Sequence, residues 1–88
     1  MEIIITFART NETILAEHIL MDAGLTIHVM PLPSAIRAGC GVCLRLPRTH
    51  LHTASALLEQ AGIPVESLYV RTLVEEKSCY SPYTGDTQ

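Results

Sequence analysis

The residues best suited to chemistry are the thiols of Cys40 and Cys43, in the run Gly39-Cys40-Gly41-Val42-Cys43. Two cysteines three apart can exchange with disulfides, supply part of a metal site, or hold a transferable sulfur atom. Metal binding is the least supported. One C-x-x-C gives half of a tetrahedral zinc site, and no second pair stands at a ligand-like spacing. His50 and His52 are two apart at a helix start and point in different directions. His18 reads as a solvated helix residue and His28 as an exposed strand residue. No metal and no cofactor is expected.

Dithiol exchange is a stronger reading. In thioredoxin-like proteins the C-x-x-C opens a helix, which brings the two sulfurs together. Here it runs into Val42-Cys43-Leu44-Arg45-Leu46, which has the alternation of a strand. Extended chain would hold the Cα atoms of Cys40 and Cys43 about 10 Å apart, and a disulfide needs less than about 7 Å. A turn at Gly39 or Gly41 would be required to close it. Cys43 is read either as a second thiol or as a small residue packing on a sheet. Cys79, in the unpatterned run "EEKSCYSPYTGDTQ", reads as a bystander.

The rest of the composition narrows the field. With 88 residues and 48% hydrophobic content, the chain is one small domain with enough apolar side chains for a core. A formal net charge of −3 without a basic cluster leaves no footprint for nucleic acid. No apolar run approaches the roughly 20 residues of a membrane span. The first strand-like run begins at Glu2 with no basic and apolar stretch before it, so no cleavable leader is expected. An odd, clustered set of three cysteines is unlike a secreted disulfide framework, so a cytoplasmic protein with reduced thiols is expected.

The elements that must position the thiols can be read in order. Glu2 to Ala8 is β-branched and aromatic with apolar residues on both parities, as in a central strand. A helix follows, capped by Thr10 or Asn11, with Leu15, Ala16, Ile19, Leu20 and Ala23 on its apolar face and Gly24 ending it. Thr26 to Met30 is a second strand, broken by Pro31-Leu32-Pro33-Ser34. The third strand carries Val42, Leu44 and Leu46 on one face and Cys43 and Arg45 on the other, and Pro47 stops it. A second helix with Leu51, Ala54, Leu57, Leu58 and Ala61 ends at Gly62, and Val65 to Val74 is a fourth strand. An internal echo supports this order: Ala16–Ile27 and Ala54–Val65 align without gaps, each ending a helix in Ala-Gly before an apolar residue.

Two β-α-β halves make an α+β, ferredoxin-like βαββαβ sandwich. Its mostly antiparallel sheet has four strands, with two helices on one face. Residues 1–74 form the domain, and residues 75–88 are expected to be a flexible tail. In a split β-α-β unit the first and second strands are parallel. The first strand's exit, the first helix's start and the loop from Pro31 to Gly41 therefore share one end of the sheet. Cys40 is expected there beside Arg9 and Thr10, with Arg37 and Arg45 in reach. Positive charge and free helix N–H groups favour a thiolate, and Gly39 and Gly41 allow a partner to approach the sulfur closely. The uncovered sheet face would hold Ile4, Met30, Cys43 and Tyr69 and would serve as a homodimer surface.

The order of Thr6-Phe7, Thr10, Ala16-Glu17, Gly24, Pro31 and Pro33, Cys40-Gly41, Leu44-Arg45 and Ala61-Gly62-Ile63 resembles the Se/S carrier protein-like family. That domain was long of unknown function and is found alone or beside a TusA-like sulfur-carrier domain. The resemblance covers about Ile3 to Tyr69. It implies that Cys40 carries sulfur or selenium as a persulfide or selenopersulfide and passes it to a partner protein. The partner would be a TusA-like protein or a cysteine desulfurase, and the chain would be a carrier rather than an enzyme. Cys43 departs from the family pattern, which has a small residue there. The competing expectations are a thiol–disulfide module using Cys40 and Cys43, and a non-catalytic interaction or regulatory module.

Overall fold

A computed structural model describes residues 1–34, 36 and 41–83. In chain order the elements are β1 (Glu2–Thr6), α1 (Thr10–Asp22), β2 (His28–Pro31), β3 (Val42–Pro47), a 3-10 turn (Arg48–His50), α2 (Leu51–Ala61), β4 (Ser67–Val74) and β5 (Lys77–Pro82). They build one antiparallel sheet in the order β2-β3-β1-β4-β5. β1 lies between β3 and β4, pairing Thr6 with Cys43 on one side and with Ser67 on the other. Because β2 and β1 both run antiparallel to β3, they are parallel to each other, as a split β-α-β unit requires.

The expectation of four strands is corrected. The stretch after Val74, read as a tail without pattern, forms β5 and pairs with β4 from Val74↔Lys77 to Tyr69↔Pro82. The chain reverses through Glu75 and Glu76, with φ of 53° and 67°. Two consecutive positive φ values in a two-residue connection are what a type I′ hairpin needs, and Asn-Gly is the pair that favours them. Replacing Glu75-Glu76 by Asn-Gly is expected to raise stability by about 1 to 2 kcal/mol, because L side chains strain this conformation. The shift of the urea midpoint measures it.

The helices cover one sheet face. Ile3, Ile5, Phe7, Leu44 and Leu46 pack there against Ala16, Leu20, Ala54 and Leu58, and all nine are buried. The echo in the sequence has a counterpart in the packing. Ala16 and Ala54 are both fully buried, as are Leu20 and Leu58, while Ile19 and Leu57 are both half-buried. Both helices also end alike. Gly24 and Gly62 have φ of 86° and 74°. Leu25 N–H reaches Leu20 O, and Ile63 N–H reaches Leu58 O, at 3.1 and 3.0 Å. Each is a Schellman ending with glycine in the left-handed position.

Two details of α1 differ from the sequence reading. Its N-cap is Arg9, one residue earlier than expected, with extended backbone and no side-chain cap bond. Arg9 O accepts from Thr13 N–H and from the Thr13 hydroxyl instead. Leu15, assigned to the apolar face, is 52% exposed. The buried positions are Thr13, Ala16 and Leu20, which share one line along the helix.

Candidate functional site

Thr6 marks the end of the sheet from which β1 departs into α1. Opposite it, β3 begins at Val42 and β4 at Ser67. The Thr6 hydroxyl bonds to the Ser67 hydroxyl and carbonyl, and Glu66 N–H donates to Thr6 O at 2.8 Å. β2 ends at the same place, and Leu32 N–H donates to Gly41 O at 3.0 Å, closing the base of the loop. The start of α1, the loop base and the entry to β4 therefore gather at one end. Gly41 has φ of 80° in open space, so its lack of a side chain serves the backbone angle rather than close packing.

Cys40, Gly39 and Arg37 lie outside the described residues. Of the other expected site residues, Arg9 and Thr10 stand at the start of α1 and are exposed. Arg45 faces the open side of the sheet. Its Nε lies 3.5 Å from Glu2 Oε2, an ion-pair contact without hydrogen-bond geometry. Arg71 Nη1 donates to Glu2 Oε1 at 2.7 Å. Glu2 begins β1, at the end opposite Thr6, so Arg45 is engaged toward that far end. This ion-pair cluster was missed from sequence because its three members come from three different strands.

Cys43 is wholly buried on the open face, in a small second core with Ile4 and Ile36. Met30, Leu32, Tyr69 and Tyr80 pack around it. This corrects the picture of an uncovered patch. Ile36, from the loop, and Tyr80, from the unexpected strand, cover Ile4 and Cys43. The signal for Ile36 was present in the sequence as the lone branched apolar residue between Ser34 and Gly39. Cys79 is exposed on β5. Among the described residues no cluster of three or more His, Cys, Asp or Glu is arranged to hold a metal ion. No helix among them is long and apolar enough to cross a membrane.

These features define an α+β domain with two helices on one face of a five-stranded antiparallel sheet, and with a loop that leads into a cysteine at one sheet end. The chain belongs to the family described as "Putative Se/S carrier protein-like", whose model matches residues 2–70. That span includes Cys40 and Cys43 and ends within β4, so β5 lies beyond the matched part. No curated protein and no solved structure matches the chain significantly.

Proposed function

We propose that the chain is a carrier in which the Cys40 thiolate holds a sulfane sulfur or selenium atom for delivery to another protein. The observation that carries this reading is the family match across residues 2–70, a span that contains Cys40 between two glycines. Loading is a transfer between sulfurs. The Cys40 thiolate attacks the outer atom of a donor persulfide, the outer S–S bond of the donor breaks, and the donor cysteine leaves as a thiolate. Delivery reverses the roles, with an acceptor nucleophile taking the outer atom and Cys40 leaving. No net redox change occurs in either step.

A donor such as a cysteine desulfurase or a TusA-like protein suits this chemistry. An anionic persulfide at the loop would be favoured by the first turn of α1 and by Arg9 and Arg37. Arg45 would join only by leaving Glu2. The test is incubation with a cysteine desulfurase and cysteine, followed by intact-protein and peptide mass spectrometry. A mass gain of one sulfur atom on Cys40, removed by a reducing thiol, is expected. An accessible Cys40 that gains none overturns the reading.

A further inference from the structure

A groove of about 540 Å³ lies between the last two turns of α2 and the entry to β4. Leu58, Ile63 and Leu68 line it with Gly62, Pro64 and Val65, and Ser55 and Glu59 belong to its α2 wall. Leu58 and Ile63 are buried, while Val65 is 37% exposed. A mainly apolar concavity of this size, with few polar groups at its border, is the usual form of a binding cleft.

The groove opens at a significant place. Its Val65 end adjoins Glu66, whose N–H is bonded to Thr6 O. It thus sits at the sheet end where the Pro31–Gly41 loop has its base. Among the described residues of the lining Glu59 is the charged one, and Glu66 follows Val65 directly. The chain as a whole carries a formal charge of −3.

We infer that this groove seats a basic, apolar segment of the protein that exchanges sulfur or selenium with the carrier. An aliphatic side chain enters against Leu58, Val65 and Leu68, and a neighbouring lysine or arginine pairs with Glu59. The inference rests on the carrier reading for the identity of the partner, but not for the binding itself. Such a seat would hold the partner next to the loop end of the domain. Apolar contact supplies the grip, and charge complementarity selects the partner's sign.

The test uses the full chain, isotope-labelled for NMR, with two short synthetic peptides. One alternates leucine with lysine, and the other replaces each lysine with glutamate. The lysine peptide is expected to bind saturably, shifting the amides of Ser55, Glu59, Ile63, Val65 and Leu68. Glu59→Gln should weaken it about two- to fivefold, the scale of an exposed ion pair. Val65→Asp should abolish the response with the spectrum's dispersion retained. Equal binding of both peptides, no saturation at millimolar concentration, or shifts confined to another surface would overturn the inference. Sulfur loading of Cys40 is measured on the same samples. Loading without peptide binding defeats the groove alone, and binding without loading defeats the carrier reading alone.

Discussion

Cys40→Ser is expected to abolish sulfur loading, whereas Cys43→Ala should keep most of it and lose stability instead. Cys43 is fully buried with Ile4 and Ile36, so removing its sulfur leaves a small void costing about 1 to 2 kcal/mol. The contrast separates a carrier from a dithiol module. A module that cycles between Cys40 and Cys43 needs both sulfurs, and either substitution would then end its activity. Loading is read by mass spectrometry and stability by urea unfolding on the same proteins.

Ile36→Ala is the second substitution with a large expected effect. Ile36 is 3% exposed and lies on Ile4 and Cys43, while Ile36 N–H is bonded to Pro33 O at 2.9 Å. Truncating a buried isoleucine costs roughly 2 to 5 kcal/mol. The lower end applies here, since the site is a thin cover at the sheet surface that can collapse. A more specific result is also expected. In native conditions Cys43 should react with an alkylating reagent several-fold faster than in the unsubstituted protein, because its cover has been thinned. Unchanged Cys43 protection, with stability lowered, would show that Leu32, Met30 and the tyrosines suffice to shield it.

The sequence made some of this architecture readable and left other parts silent, for physical reasons. Alternation in β3 correctly separated Leu44 and Leu46 from Cys43 and Arg45. The repeated Ala-Gly endings forecast two helices that stop in the same way. β5 escaped because Glu75-Glu76 is not a pair that announces a tight hairpin, and because its exposed residues lack an apolar face. The cover over Cys43 was hidden for a different reason. It joins Ile36, Met30 and Tyr80 from a loop, an edge strand and the opposite side of the sheet, a convergence that only tertiary pairing creates. The ion-pair cluster of Glu2, Arg45 and Arg71 was invisible on the same grounds. The groove beside α2 likewise depends on how far the helix stands from β4.

The hydrogen bonds that extend the two outer ladders, Leu32 to Gly41 and Leu68 to Tyr83, fix which residues of the border strands turn outward. Since inward and outward bonding alternate along an antiparallel pair, Val29 and Pro31 face outward on β2, and Ser78, Tyr80 and Pro82 on β5. Each border therefore has a proline where a third chain would look for an N–H, and neither offers an unbroken template for another strand. The two sides of the sheet are thus poor places for copies of the chain to add strand to strand into fibrils.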